Sequence, residues 1–421
     1  VATDNPTADE PEDRVLDSTY QKIRTFFVPP APPKKLALVL SGGGARGAYQ
    51  AGVLKYIAEA FPETQFQIMT GISAGAINTG YLANHTGTFR EAAAGLLDCW
   101  RDLVHERVIR PESTVSFIRR MMNSVDADSV AGAGDFNMSG RRGLLDPSPL
   151  RDYMMDKLNA RNGLLDGVSA NIAAGRLHAL AVTATNYMTG QTTTFVHGSS
   201  VDRWVRPNRI AISTRMEVDH IMASAALPVI FPAVYINGAW YGDGGVRMTM
   251  PLSPAVNMGA DHLMVISTRY DRSRVEADQP SVVGYPPVAQ VIGILMNAIF
   301  LDVLDQDALM LRRINELITH VPRKHRRGLR PIHMLLLRPS VDIGRLAGHH
   351  HPHFSGAFRL LTRGLGSEQT KSADWMSMVL FERGYVDQLI EIGYDDARLQ
   401  HDEIGDFLRI ALRETTAKPS A

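Results

Sequence analysis

Phe66-Gln67-Ile68-Met69-Thr70-Gly71-Ile72-Ser73-Ala74-Gly75-Ala76-Ile77-Asn78 decides the reading of the chain. An apolar, β-biased run ends in Gly71-x-Ser73-x-Gly75, and a small-residue helical pattern follows at once. A strand, a tight turn and a helix in that order are the setting of a nucleophile elbow, in which a serine hydroxyl stands above the sheet edge. Glycines on either side let neighbouring backbone pass close to a strained turn. Taken alone, the motif is equally an ordinary βα turn in a chain with 35 glycines. Other stretches have to decide between the two.

Composition sets the outer bounds. The 421 residues are 45% hydrophobic and 21% charged, the profile of a globular chain with one large or two medium domains. Forty-four basic residues balance forty-four acidic ones, so no global field points to nucleic acid. The single cysteine, Cys99, excludes an internal disulfide framework and fits a reducing, cytoplasmic compartment. It lies in the apolar helical pattern Ala92 to Val104 and reads as a buried structural thiol. No apolar run has the length of a membrane span, and the stretch after Val1 carries no signal-peptide core.

Residues 1–34 read as a polar, proline-rich N-terminal extension, with a short helix near Leu16 to Phe27 before Val28-Pro29-Pro30-Ala31-Pro32-Pro33. Leu36-Ala37-Leu38-Val39-Leu40 is a buried parallel strand by composition. It feeds Ser41-Gly42-Gly43-Gly44-Ala45-Arg46-Gly47 and a helix over Ala48 to Ala60. Three chemistries compete for this glycine loop. Gly42-x-Gly44-x-x-Gly47 is formally a dinucleotide fingerprint, but no acidic residue is placed to take a ribose hydroxyl. A P-loop lacks its closing Lys-Ser/Thr. An oxyanion hole needs only clustered amide N–H groups at a helix start, and parallel neighbouring strands bring this loop and the serine turn to one sheet edge. Arg46 adds positive charge there or locks the loop by pairing.

Residues 80 to 110 read as helical. Pro111 to Gly143 is an irregular segment that suits a cap over an apolar cleft or a surface insertion. A helix starts at Asp146, and strands run over Leu177 to Thr185 and Thr192 to Val196. Val218 to Ala226 is helical, broken by Leu227-Pro228-Val229-Ile230-Phe231-Pro232. Asn237-Gly238 signals a type I′ hairpin, so Asp243 emerges from a short strand into Gly244-Gly245. Further strands lie at His262 to Thr268 and Ile332 to Arg338. Val288 to Leu317 reads as one long helix whose stripe Val291, Ile292, Leu295, Met296, Ile299, Val303 and Leu304 packs on the sheet, a lipid-facing or dimer role being the second reading. Arg323 to Arg327 reads as a solvated basic loop, and His349-His350-His351-Pro352-His353 lacks the acidic or cysteine neighbours of a metal site.

Ser-Gly-Gly-Gly-Ala-Arg-Gly, Gly-Ile-Ser-Ala-Gly, Ala-Ser-Ala-Ala-Leu-Pro-Val-Ile-Phe-Pro and Asp-Gly-Gly, in this order, closely resemble the patatin-like phospholipases over roughly Lys35 to Pro254. The resemblance implies a three-layer α/β/α fold with a mostly parallel central sheet and a helical C-terminal extension. It implies a catalytic domain over 35–340, with 341–421 a loop plus helices packed on it. It also implies lipid acyl hydrolysis by a Ser–Asp dyad without a catalytic histidine. Residue by residue, Ser73 matches the nucleophile and Asp243 the general base. Gly42, Gly43, Gly44, Ala45, Arg46 and Gly47 match the oxyanion loop, Gly71 and Gly75 the elbow, and Gly244 and Gly245 the Asp-Gly-Gly motif. Many members open the oxyanion loop with aspartate where this chain has Ser41. The implied substrate is a phospholipid or lysophospholipid met by peripheral membrane contact, with no cofactor or metal and with a homodimer left open. A Ser-His-Asp esterase, an acyltransferase and an inactive lipid-binding protein are the alternatives.

Overall fold

In the computed structural model the described residues are 34–110, 145–199, 204–228, 230–278, 288–300, 302–350 and 374–416. The proline-rich extension, the suggested cap over Pro111 to Gly143 and most of His349 to His353 lie outside them.

Among the described residues ten strands form one sheet: β1 (Leu36–Leu40), β2 (Ile68–Ile72), β3 (Ala179–Asn186), β4 (Thr192–Gly198), β5 (Val205–Arg206), β6 (Arg209–Ser213), β7 (Val234–Ile236), β8 (Ala239–Asp243), β9 (His262–Ile266) and β10 (His333–Leu337). Strands β10, β9, β1, β2 and β3 run parallel side by side, and β4 turns back antiparallel on β3. Alternation along β1 builds the layers. Leu36, Leu38 and Leu40 face one core and Ala37 and Val39 face the other, so the strand is apolar throughout.

The larger layer holds α1 (Gly47–Ala60), α2 (Ala74–Asn84), α3 (Phe89–Asp102), α4 (Ser148–Lys157) and α5 (Val218–Ser224). The opposite layer includes Leu304 and Ala308 of α7 (Val303–Thr319), which follows α6 (Val288–Phe300). The C-terminal helices α8 (Asp374–Val379), α9 (Arg383–Leu399) and α10 (His401–Thr416) close the larger layer. There α9 lies on α1 with backbones nearly touching. A Cβ on Gly52 would stand 2.1 Å from the Ile390 carbonyl oxygen, and one on Gly393 would stand 2.1 Å from that of Tyr49.

Local signals place most elements as expected, including the hairpin turn, where Asn237 and Gly238 have φ of 47° and 89°. Three readings are corrected. The helical stretch 80–110 is divided after Asn84, and Thr88 restarts it as the cap of α3 in a capping box with Glu91. A short helix over Ile343–Leu346 and a 3-10 turn over Ala347–His349 occupy the start of the loop expected after residue 340.

The third correction concerns Val288 to Leu317, which forms two helices. At the junction the Asp302 amide donates to the Asn297 carbonyl, five residues back, and the Arg269 guanidinium pairs with Asp302 and Asp305. Phe300 is buried against Gly245. Nor does the whole stripe pack on the sheet: Val291 and Leu295 are 45% and 53% exposed, with Ile294 beside them at 59%. Periodicity finds a helix face without saying what covers it.

Candidate active site

Two strands that share one edge of β3 bring Ser73 and Asp243 together. β2 pairs with β3 up to Ile72 opposite Thr183, and β8 takes over antiparallel with Asp243 opposite Ala184. β4 holds the other edge along the same residues. The last residue of β2 and the last of β8 therefore occupy consecutive positions of one ladder, and Ser73 follows directly.

Ser73 has φ 54° and ψ −125°, a left-handed backbone strained for a residue with a Cβ. What holds it is Ser224 at the end of α5. The Ser224 hydroxyl accepts the Ser73 amide at 3.0 Å and donates to the Thr183 carbonyl at 2.6 Å. Gly75 lies against the end of β1, where a Cβ would come within 2.3 Å of the Leu40 carbonyl oxygen. Gly71 is pressed in the same way against Gly75, so the elbow admits no larger residues.

Asp243 is fully buried. Its amide donates to Ala226 O at 2.9 Å, and the Thr185 hydroxyl donates to its carbonyl at 2.8 Å. On the carboxylate, Oδ1 accepts the Gly245 amide at 2.8 Å, while Oδ2 makes no close hydrogen bond. Burial pushes the carboxyl up from 3.8 to about 7; the Gly245 amide and the Ser73 hydroxyl, which lies within interaction range, pull the other way. Gly244 packs on the Thr183 carbonyl and Gly245 on the Phe300 ring.

The glycine loop sits beside this pair. A Cβ on Gly42 would lie 3.1 Å from Ser73 Cβ. Gly43 and Gly44 have φ of 144° and 58°, and their amides donate to no acceptor among the described residues. The Met378 carbonyl caps Gly44 so closely that a Cβ there would be 1.9 Å from its oxygen. Ala45 is buried in the 3-10 turn Gly44–Arg46, and Gly47 is in van der Waals contact with Trp100. Arg46 is buried and donates Nε to the Ser377 hydroxyl at 2.7 Å, locking the loop to α8.

A buried polar chain, unread in the sequence, ties loop to elbow. Trp100 Nε1 donates to Asn78 Oδ1 at 2.7 Å. Asn78 Nδ2 donates to Gly47 O and to Gln50 Oε1. Gln50 Nε2 donates to Ser41 O and Ile266 O at 2.9 and 3.1 Å. Thr268 donates its hydroxyl to Gly42 O at 2.6 Å, and its amide donates to the Ser41 hydroxyl. Ser41 thus serves as an internal acceptor, consistent with a loop whose anion-facing donors are backbone amides.

In front of Ser73 an apolar cleft is lined by Gly44, Ala74, Ile77, Trp100, Leu103, Phe231 and Phe381 among others. Its internal volume of about 30 Å³ holds a couple of waters. No group of three or more His, Cys, Asp or Glu capable of holding a metal ion occurs among the described residues, and no described helix is long and apolar enough to cross a membrane.

The architecture is a three-layer α/β/α fold with a mostly parallel sheet and an elbow serine at its C-terminal edge. A family model described as patatin-like phospholipase matches residues 38–256, more than half of the chain, and the chain belongs to that family. No curated protein gives a significant sequence match. Among solved structures, VipD from Legionella pneumophila is 14% identical with a TM-score of 0.36, over 89% of this chain and 68% of that one. The human GIVD cytosolic phospholipase A2, in complex with methyl gamma-linolenyl fluorophosphonate, is 13% identical with a TM-score of 0.46, over 91% of this chain and 60% of that one. The chain thus spans less than two thirds of the human enzyme's length.

Proposed function

We propose that this protein is a lipid acyl hydrolase of the phospholipase A or lysophospholipase type, working through a Ser73–Asp243 dyad. The observation that carries the reading is a strained serine beside a fully buried carboxylate whose pKa burial lifts to about 7. A serine hydroxyl is a poor nucleophile until a base takes its proton. An ordinary carboxylate is a weak base, but one titrating near neutrality is matched to the task. Asp243 Oδ2, with no other close partner, receives the proton as Ser73 Oγ attacks the ester carbonyl.

The resulting oxyanion is met by the amides of Gly43 and Gly44 at the start of α1, each such donor contributing about 3–4 kcal/mol. Collapse of the tetrahedral intermediate expels the alcohol, which takes the proton back from Asp243. Water then repeats the sequence on the acyl-serine and frees the fatty acid. Family membership supports lipid acyl hydrolysis, and the apolar lining of the cleft supports an acyl group over a polar one.

Peripheral contact with a lipid surface belongs to the same reading. Helix α6 has no charged residue, packs by Phe300 beside the Asp-Gly-Gly turn, and leaves Val291, Ile294 and Leu295 exposed. The dyad is favoured over a Ser-His-Asp triad because no histidine lines the cleft among the described residues. His220, the histidine on α5, packs on Phe195, and burial pushes it down to about 4.

The test is covalent labelling followed by turnover. A fluorophosphonate should modify Ser73, and Ser73→Ala should abolish both labelling and release of fatty acid from phospholipid vesicles. Full ester turnover in Ser73→Ala would overturn the reading. Product analysis with an added alcohol separates hydrolysis from acyl transfer.

A further inference from the structure

Three turns stand together at the sheet edge that carries Ser73. The β3–β4 turn opens at Asn186, whose Oδ1 accepts the amides of Met188 and Thr189 at 2.9 and 3.2 Å. The β7–β8 hairpin joins it where the Tyr187 amide donates to the Trp240 carbonyl at 2.9 Å. The β5–β6 turn joins it where Gln191 Nε2 donates to the Pro207 carbonyl and the Thr192 amide to the Asn208 carbonyl. Register sets how far they reach. Ile72 lies opposite Thr183 and Tyr241 opposite Asn186, so the turns stand beyond the level of Ser73. The tip of the hairpin, Asn237-Gly238, projects about 10 Å past the end of β3.

Two kinds of side chain cover this rim. Tyr187, Met188, Tyr235 and Trp240 are exposed, and the rings of the last two lie 5.0 Å apart. Residues 187–191, 205–209, 235–240 and 244–250 include Arg206, Arg209 and Arg247 and no acidic residue, in a chain whose charges balance at forty-four of each sign. Arg206 and Arg247 are exposed and form no ion pair among the described residues. The Thr192 hydroxyl donates to the Arg247 carbonyl at 3.0 Å, which ties Arg247 to the start of β4.

We infer that this rim is the surface by which the protein docks on an anionic phospholipid bilayer. The inference deepens the acyl-hydrolase reading, on which it rests for the lipid brought to Ser73, and adds where the bilayer is met and which charge it carries. Tyrosine and tryptophan rings have an apolar body and a polar tip, which suits them to the headgroup level of a membrane. Each arginine near a negative surface strengthens partitioning about fivefold. The hairpin projects rather than encloses, which favours a broad surface over a peptide chain. Helix α6 has no charged residue and gives no preference between neutral and anionic lipid, whereas the rim does. The other basic cluster, Arg323 to Arg327, precedes β10, which runs in the direction of β2, and so lies at the sheet edge opposite Ser73.

The experiment uses the full chain carrying Ser73→Ala, which leaves the lipid intact, sedimented with phosphatidylcholine vesicles with and without phosphatidylglycerol. Binding should be about 25-fold tighter with the anionic lipid and should weaken as salt is added. Arg206→Gln together with Arg247→Gln should remove that difference, while glutamine at Arg323, Lys324, Arg326 and Arg327 should leave it unchanged. Tryptophan emission should shift to the blue on anionic vesicles, and Trp240→Phe should remove most of the shift. Equal binding to both vesicles overturns the inference, as does a loss that follows the Arg323 cluster instead of Arg206 and Arg247. Equally tight binding to soluble polyglutamate also overturns it and assigns the rim to an acidic protein. Catalysis is read separately. With Ser73 in place, the Arg206→Gln, Arg247→Gln variant should keep wild-type turnover of a short, water-soluble ester; loss of that turnover would place the arginines in the site and overturn the docking role. Failure of a fluorophosphonate to label wild-type Ser73 overturns the hydrolase reading, whatever the vesicles show.

Discussion

Asp243→Asn should stabilise the protein above neutral pH while disabling it. The carboxyl is raised by burial from 3.8 to about 7, and the sign of its effect on stability follows. Between those values the folded chain keeps a proton that the unfolded chain has released. The native state is then favoured fully below about pH 4, and that advantage is lost as pH climbs through 7. A rise of this size corresponds to about 4 kcal/mol of stability forgone once Asp243 is charged. Asparagine has nearly the same shape, still accepts the Gly245 amide through its Oδ1, and never ionises. Urea unfolding at pH 8 should therefore show the variant more stable by up to about 4 kcal/mol, with the gap closing towards pH 4. Ester turnover should meanwhile drop about 100- to 10,000-fold through loss of the base. A wild type that is the more stable partner at pH 8, or a gap that does not depend on pH, would refute the argument that this carboxylate is held in an unfavourable setting.

Three further outcomes follow from the same geometry. In the wild type kcat/KM should rise about tenfold per pH unit up to about 7 and then level, because only ionised Asp243 accepts a proton; a midpoint near 4 in the pH–rate profile would contradict the burial argument. Ser224→Ala leaves the Ser73 amide and the Thr183 carbonyl without their shared partner, and should cost about 1–3 kcal/mol in denaturant melts together with a fall in kcat. Gly52→Ala drives a methyl into the Ile390 carbonyl and should cost about 1–3 kcal/mol by forcing α1 and α9 apart, read as a lower Tm; an unchanged Tm would show that the crossing is looser than described.

What the sequence disclosed was whatever is written locally. The apolar runs at Leu36 and Ile68, the glycines around Ser73 and the Asn237-Gly238 turn each act within a few residues, and each element stands where its signal lies. The resemblance added the expectation of a Ser73–Asp243 dyad, which no local pattern contains, and the structure sets the end of β2 and Asp243 at consecutive positions along β3. Contacts between distant segments stayed hidden. Ser224 was visible only as a letter in Ala-Ser-Ala-Ala-Leu-Pro; its task, bracing the elbow turn, depends on β3 passing between the two segments. Gln50 and Asn78 look like ordinary polar residues in helices until folding buries them under Trp100. The stripe of α6 failed differently. Period describes a helix face but not its neighbour, and the break before α7 falls between Phe300, packed against Gly245, and Asp302, paired with Arg269, at a point where the sequence has neither proline nor glycine.

The end-to-end sharing of one β3 edge by β2 and β8 has an evolutionary consequence. Because a single ladder gauges the separation of hydroxyl and carboxylate, the polypeptide between them is free to vary in length. Insertions or deletions among the intervening helices, or a permutant opened between α3 and α4, leave that gauge untouched. A slip of β8 by one residue would instead turn Asp243 to the opposite side of the sheet. Diversity among relatives should accordingly accumulate in the excursions, with none tolerated in the three residues Ala184, Thr185 and Asn186 against which β8 is set.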